Sequence, residues 1–219
     1  AQKIYTDSNG NPIGELVGNG RREKTLSDTS KIINLDQDIF SNRTLDAYNE
    51  ASLVKAIMDK KDTLKNGKVI PRYRDNKNQV ITVITHEDGT VSVGISGTKI
   101  NNMQKLQSDL DEAYGKGKYT VGIGTLDETS GIERGYKGDI VGNKPGVCAE
   151  PHCAVAAGQN KSPMTGSATI WRGKGENRYP YTGKNVHLFG NDQMNPCPTC
   201  GHPHNLRIYN NEANKGKKP

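Results

Sequence analysis

Three cysteines and one glutamate in this chain are of residue types, and at spacings, that suit metal binding and catalysis. Cys197 and Cys200 flank two residues in the segment Pro-Cys-Pro-Thr-Cys, and a Cys-x-x-Cys turn can give both of its thiolates to one metal ion. Cys148 precedes Glu150 by two residues. Because the Cys-x-x-Cys spacing favours a metal or a redox couple over a structural disulfide, we interpret these cysteines as part of a metal site.

The sequence allows two alternative sets of further ligands for this metal site. In a structural site, the nearby His202 and His204 join Cys197 and Cys200 to close a local tetrahedron. In a catalytic site, Cys148 is the third ligand and the fourth position stays open for water.

The position of Glu150 favours the catalytic completion. A metal such as zinc lowers the pKa of its bound water from about 15.7 towards 7. A carboxylate within hydrogen-bond reach can take the proton and pass it to a leaving group. The fourth cysteine, Cys153, is expected to be a buried small apolar residue rather than a ligand.

The two motifs resemble the signature of the zinc-dependent nucleobase and nucleoside deaminase superfamily. Cys148-Ala149-Glu150 is similar to its [H/C]-x-E element, and residues 196–200 are similar to its P-C-x-x-C element. The Cys-Ala-Glu-Pro version and segment 88–97 (DGTVSVGISG) resemble bacterial polymorphic-toxin deaminases, especially the YwqJ-like group. The resemblance covers roughly residues 44–210. The separation between the two motifs is longer than in compact members, which predicts an insertion within residues 159–184.

This resemblance implies that Cys148, Cys197 and Cys200 hold Zn²⁺ and that Glu150 moves protons. Zinc-bound hydroxide would attack C4 of cytosine and release ammonia, converting C to U. The implied protein is a cytosine deaminase acting on nucleic acid, with DNA favoured over RNA. It would be the C-terminal module of a secreted or delivered bacterial toxin, acting in the target-cell cytoplasm and bound by a cognate immunity protein. Alternatives are an adenine or free-nucleotide deaminase, or a non-catalytic zinc-knuckle module that binds nucleic acid.

Three further residues are candidate substrate contacts. The N–H of Ala149 lies at a predicted helix start, where backbone donors lack helical partners, and could bind a base carbonyl. Ser96 ends a predicted strand and is a candidate wall of the base pocket by analogy. Trp171 belongs to a segment that mixes basic and aromatic residues, which suits stacking on an unpaired strand. A solvated loop with Trp171 packed in the core is the alternative. The basic and aromatic residues of the segment are Trp171, Arg172, Lys174, Arg178, Tyr179 and Tyr181.

The charge distribution also favours a polyanionic partner. The net charge is +6, and residues 145–219 hold nine basic and four acidic side chains. A basic surface near a site attracts nucleic acid through phosphate contacts and counterion release.

No apolar run approaches the roughly 18 residues of a membrane span, so no membrane span is expected. Residues 1–20 lack a signal-peptide pattern and read as the middle of a longer chain.

The pattern of elements predicts an α/β fold of the layered α-β-α kind, and the resemblance implies a cytidine-deaminase-like mixed sheet flanked by helices. Residues 1–43 are predicted to be a loop-rich lead-in, and residues 44–219 the deaminase domain. The predicted helices are 44–64, 102–114, 146–157 and a short one at 196–200. The predicted strands are 79–86 and 90–96, joined as a hairpin, and 119–124, 167–172, 185–189 and 206–209.

Overall fold

A computed structural model of the chain describes residues 15–17, 21–23, 25–26, 38–74 and 76–217. The α-helices in this part of the chain are α1 (Leu45–Met58), α2 (Ile100–Tyr114), α3 (Ala149–Gly158) and α4 (Pro203–Ala213). The strands before the second helix are β1 (Glu15–Val17), β2 (Arg21–Glu23), β3 (Thr25–Leu26), β4 (Lys61–Thr63), β5 (Val69–Pro71), β6 (Val80–His86) and β7 (Val91–Ile95). The later strands are β8 (Tyr119–Val121), β9 (Arg134–Lys137), β10 (Ile140–Val141) and β11 (Met164–Trp171).

A four-stranded mixed sheet in the order β11-β6-β7-β8 forms the centre of the fold. β6 is antiparallel to both of its neighbours, whereas β7 and β8 are parallel. The predicted hairpin is confirmed, with Ile81 opposite Ile95 and Thr85 opposite Val91. Its β-branched residues suit a pleated, buried surface, and β7 is buried along its whole length.

Helices cover both faces of this sheet, which confirms the predicted layered α/β class. Alternate side chains of β6 enter different cores, as the period of a strand requires: Ile81 and Val83 pack towards α1 and α2, and Ile84 packs towards α3. α4 packs behind α3 on the second face. The second core contains all four cysteines, so the site lies on the α3 side of the sheet.

Helix α1 begins where the sequence predicts and ends earlier. Thr44 is its N-cap, and its Oγ1 accepts a hydrogen bond from Ala47 N at 3.2 Å. The predicted end at residue 64 is wrong, because residues 61–63 form β4 and pair with β5. Asn66-Gly67 is the turn of that hairpin, with Gly67 at φ +80°, rather than a helix stop.

Three predicted elements in the last third of the chain are also corrected. Residues 206–209 lie within α4, whose Leu206, Tyr209 and Ala213 are buried at helical spacing. Residues 186–188, predicted as part of a strand, form a 3-10 turn. Residues 196–200 make a single turn rather than a short helix, closed by a hydrogen bond from Gly201 N to Cys197 O at 2.8 Å.

The predicted lead-in, residues 1–43, lies largely outside the described residues. Within it, β1 pairs with β2, and β3 pairs in parallel with β9. Ile39 and Phe40, just before the predicted domain boundary, are buried in the second core. None of the four described α-helices combines the length and apolar character that crossing a membrane requires.

Candidate metal centre and its cleft

The thiols of Cys148, Cys197 and Cys200 form one buried group. Their Sγ atoms all lie within 4.8 Å of one another, and Cys148 Sγ is 3.6 Å from Cys197 Sγ. Bonds of about 2.3 Å from a tetrahedral zinc ion would separate two thiolates by roughly 3.8 Å. The group could therefore hold a metal ion through three sulfur ligands.

Each cysteine is fixed by the segment that carries it. Cys148 is the N-cap residue of α3, and Asn143 Nδ2 donates to its sulfur at 3.4 Å. The turn of Cys197 and Cys200 is held by Thr199, whose Oγ1 donates to Asn143 O at 2.6 Å. The same Asn143 residue thus contacts both halves of the group, although they are far apart in sequence.

Hydrogen bonding within the group favours the thiolate form of Cys197, whereas the hydrogen bond to Cys197 raises the pKa of Cys148 and burial raises the pKa of Cys200. The Cys148 and Cys200 thiols donate to Cys197, which lowers the pKa of Cys197 well below its usual value. The Tyr209 hydroxyl lies 3.5 Å from Cys200 Sγ and can donate to a thiolate there. Thiolates are the form in which cysteines bind metals.

Two glycines allow α3 to lie close against the sheet. A Cβ on Gly94 of β7 would lie 2.2 Å from Ala149 O, and a Cβ on Gly122 would lie 1.9 Å from His152 O. Both contacts are with backbone atoms, which cannot move aside without moving the helix. These glycines therefore set the depth at which the first turn of α3, with Cys148 and Glu150, sits against the sheet.

Glu150 is a buried carboxyl group beside the cysteines, with 4% of its surface exposed. Burial and, to a smaller extent, the nearby Cys197 thiolate together raise its pKa to about 7, against the lowering effects of a backbone hydrogen bond and of the positive charge of Arg43. A carboxyl group with a pKa near neutrality can both accept and release a proton at physiological pH.

Arg43 is a buried cation of the site, and no local sequence motif singles it out. Its Nε donates to Phe40 O at 2.7 Å, its Nη1 donates to Gln193 Oε1 at 2.9 Å, and its guanidinium lies 5.1 Å from the centre of the Tyr181 ring. Burial lowers the pKa of Arg43, and the charge of Glu150 raises it. The two buried charges therefore stabilise each other across the protein interior.

A cleft of about 630 Å³ opens onto the cysteine group. Cys148, Glu150 and Cys197 line it, and Cys200 does not. The cleft thus reaches the group from one side, where a further metal ligand has room. The predicted substrate contacts Ser96, Ala149 and Trp171 line it too; the other lining residues are Gln79, Val80, Asn143, Val147, Gly175, Glu176, Arg178, Tyr179, Met194 and Asn195.

Segment 159–184 contributes unevenly to this cleft. Trp171 is half-buried, and its Nε1 donates to Gly175 O at 2.8 Å. Arg172 is buried instead, where it contacts Asp59 at 3.3 Å and donates to backbone carbonyl groups, so it is a structural residue. Residues 164–171 of this segment form β11 of the central sheet, and the insertion expected within residues 159–184 stays a prediction.

The histidines do not join the metal group. His202 is the N-cap of α4 and accepts from His204 N at 3.2 Å, and His204 Nε2 lies 2.9 Å from Gly131 O. His152 is buried, with its ring nitrogens 3.0 Å from Gly124 O and 2.9 Å from Gly97 O. His187 is exposed in a 3-10 turn rather than in a strand. The structure therefore does not bring His202 and His204 together with Cys197 and Cys200 as the structural completion of the site requires.

Cys153 is fully buried, as expected for a small apolar residue, and its thiol donates to Ser92 O at 3.5 Å. It lies outside the group of described residues that could hold a metal ion. The site thus combines three thiols that could hold a metal ion, one buried acid and a cleft large enough for a small ligand. Comparisons with protein-family models, curated proteins and solved structures found no match to this chain.

Proposed function

We propose that this protein is a zinc-dependent cytosine deaminase that acts on nucleic acid, with DNA as the favoured polymer. One observation carries the proposal: a buried group of three cysteines lies beside the buried Glu150, and Cys148, Cys197 and Glu150 line the same cleft. The reaction combines cytosine with water and yields uracil and ammonia. It needs an activated water, a proton carrier and a pocket for a flat base.

The donor set supports zinc as the metal. Thiolate sulfur is a soft ligand, whereas magnesium and calcium prefer oxygen. Catalytic zinc sites use three protein ligands and keep one position open, and here the cleft reaches only part of the cysteine group. Zinc bound there would supply a water acidic enough to act as a nucleophile near pH 7.

Glu150 is the proposed proton carrier. One proton of the attacking water must reach the amino group, because that group leaves as ammonia. The raised pKa of Glu150, about 7, lets the carboxylate accept this proton and release it again at neutral pH. The positive charge of Arg43 opposes that rise by stabilising the carboxylate.

Residues along the cleft would hold the base. The Ala149 N–H in the first turn of α3 lacks a helical acceptor and would donate to the O2 carbonyl of cytosine. Trp171 offers an indole face for stacking, which is worth about 1–3 kcal/mol per base. Ser96 supplies a hydroxyl on the same cleft, although it also accepts from Val80 N at 3.0 Å.

The wider setting is proposed on the sequence resemblance described above. The chain would be the toxic C-terminal module of a delivered bacterial effector, producing C-to-U lesions in the target cell. A cognate immunity protein would neutralise it. Adenine deamination and free-nucleotide deamination are the rival reactions, and metal-dependent binding without catalysis is the rival class.

The test is base conversion by the zinc-loaded protein on matched single-stranded DNA, duplex DNA and RNA, read by sequencing. Glu150→Gln should reduce conversion by at least about 100-fold while zinc content is unchanged. Glu112→Gln, an exposed charge change on α2, is the control and should leave conversion within about twofold. Conversion of adenine instead of cytosine would mean that adenine is the base on which the protein acts. Absence of conversion on all three polymers, with zinc bound, would refute the proposal.

A further inference from the structure

A second cavity lies beside the cleft. It has a volume of about 310 Å³ and shares the wall residues Gln79, Ser96 and Val147 with the cleft. The two spaces are therefore neighbours with part of their walls in common, so a substrate whose base lies in the cleft has a second cavity beside it. The remaining residues of the second cavity are Asn76, Lys77, Asn78, Gly97, Thr98, Lys99 and Asn102.

The charged residues described in this second cavity are both positive. Lys77 and Lys99 line it, and none of its lining residues in the described part of the chain is acidic. Both lysines are exposed, and neither forms an ion pair within the described part of the chain. The main cleft, in contrast, is lined by Glu150 and Glu176 as well as by Arg178. An anionic group is thus favoured in the second cavity and disfavoured next to Glu150.

The backbone that carries Lys77 is held in place by buried side chains. Asn78 adopts a left-handed conformation at φ +47°, and its Nδ2 donates to Ser96 O at 2.7 Å. Asn102 Nδ2 donates to Asn78 Oδ1 at 2.8 Å, which ties the loop to α2. The buried Arg172 donates to Asn78 O at 3.2 Å from the other side. The cavity is a formed feature of the fold, with its lysines on an anchored backbone.

We propose that this cavity is a phosphate-binding subsite for the substrate whose base occupies the cleft. Lysine binds phosphate as a point charge, and the amide and hydroxyl groups of Asn76 and Thr98 add hydrogen-bond donors. The phosphate is either the phosphodiester of a nucleic-acid strand or the phosphate of a free nucleotide. This inference rests on the proposed function, because it takes the cleft to hold a nucleobase.

Binding measurements test the subsite without requiring turnover. Zinc-loaded Glu150→Gln protein is titrated with a fluorescent cytosine-containing single-stranded oligonucleotide, and deoxycytidine and dCMP are used as competitors. We expect the double variant Lys77→Ala/Lys99→Ala to weaken oligonucleotide binding at least about tenfold and to reduce the slope of log K against log salt by about 1–2. The matched control, Lys65→Ala/Lys116→Ala, removes two exposed lysines outside the cavity and should change binding less than about twofold.

The competitors identify the source of the phosphate. If dCMP but not deoxycytidine displaces the fluorescent oligonucleotide, and the Lys77→Ala/Lys99→Ala variant loses this displacement, the result would support a subsite for the phosphate of a free nucleotide. If only an unlabelled oligonucleotide displaces the probe, the result would support a subsite for a phosphodiester. Equal losses in both double variants, or no oligonucleotide binding at all, would overturn the subsite. Failure of the deaminase proposal appears separately, as absence of conversion by the wild-type protein.

Discussion

Cys148 and Cys153 lie on either side of Glu150 in the sequence, yet their surroundings differ. Cys148 Sγ is 3.6 Å from Cys197 Sγ, whereas Cys153 Sγ contacts Ser92 O of β7. Both residues are buried, so burial alone does not distinguish a ligand from a packing residue. The difference lies in which atoms the fold brings to each sulfur.

These two cysteines provide a matched pair of variants. Cys148→Ser should weaken zinc binding by more than about 100-fold, because even changes to residues that only support metal ligands cost 10–100-fold. Cys153→Ser should keep the zinc affinity of the wild type. The measurement is competition for zinc with a chelating indicator. Equal zinc affinity in the wild type and Cys148→Ser would contradict the three-cysteine site.

At the residue scale, short-range spacing predicted the cysteine group and Glu150 because both motifs are local. Cys148 and Glu150 share one helix start, and Cys197 and Cys200 share one turn. Arg43 could not be predicted in this way, because its partner Gln193 is 150 residues away in the chain. Its importance comes from a buried charge balance that only the folded chain creates.

At the scale of elements, Gly94 determines how α3 packs on the sheet. A Cβ there would lie 2.2 Å from Ala149 O, so Gly94→Ala must push the first turn of α3 outwards. We expect a loss of roughly 1–3 kcal/mol in the free energy of unfolding, together with weaker zinc binding. Urea unfolding and zinc titration measure the two effects.

Gly175 provides the control for that substitution, because a Cβ there meets nothing within 4 Å. Gly175→Ala should leave the unfolding free energy and the zinc affinity close to those of the wild type. If Gly94→Ala also matched the wild type in both measurements, α3 would not depend on that close contact.

His86, at the end of β6, links stability to pH. It is buried, with Nδ1 2.9 Å from Ser162 O and Nε2 2.7 Å from Ser92 Oγ, and burial lowers its pKa from 6.5. Below pH 6.5 the unfolded chain takes up a proton that the folded protein resists. The stability that neutral His86 contributes is therefore fully present above pH 6.5 and is lost as the pH falls.

The variant His86→Gln isolates this contribution. The difference in unfolding free energy between the zinc-loaded wild type and zinc-loaded His86→Gln should shrink as the pH is lowered from 7.5 to 5. Urea unfolding at several pH values measures it, and metal effects common to both proteins cancel. A difference independent of pH would show that His86 is not held neutral.

Among the elements, those with clear periodicity were predicted correctly. The β6–β7 hairpin follows from two β-branched runs around a short turn, and α2 follows from apolar residues at helical spacing. The apolar residues at 206–209 alone are compatible with a strand, and Ala213 one turn later completes the helical stripe that identifies α4. The end of α1 is ambiguous in the sequence because Asn66-Gly67 suits a hairpin turn as well as a helix stop.

At the scale of the whole molecule, the cysteine group joins distant parts of the chain. It links the start of α3 to the turn that precedes α4, across 49 residues. A metal bound only by the folded protein stabilises it by RT ln(1 + [L]/Kd), which is about 4 kcal/mol at a thousandfold excess over Kd.

Removal of zinc with a chelator should therefore lower the melting temperature of the wild type, as measured by calorimetry. Cys148→Ser should show no such dependence on chelator. An unchanged melting temperature in wild-type protein that has verifiably lost its zinc would mean that the metal does not hold these segments together.

The central claim is that the cysteine group and Glu150 form a hydrolytic centre for cytosine. The most direct test compares the wild type with Glu150→Gln at equal zinc content, by sequencing single-stranded DNA after incubation. We predict C-to-T changes in the sequencing reads with the wild type, reduced at least about 100-fold in the variant. Equal conversion by both proteins, or none by the zinc-loaded wild type, would contradict the claim.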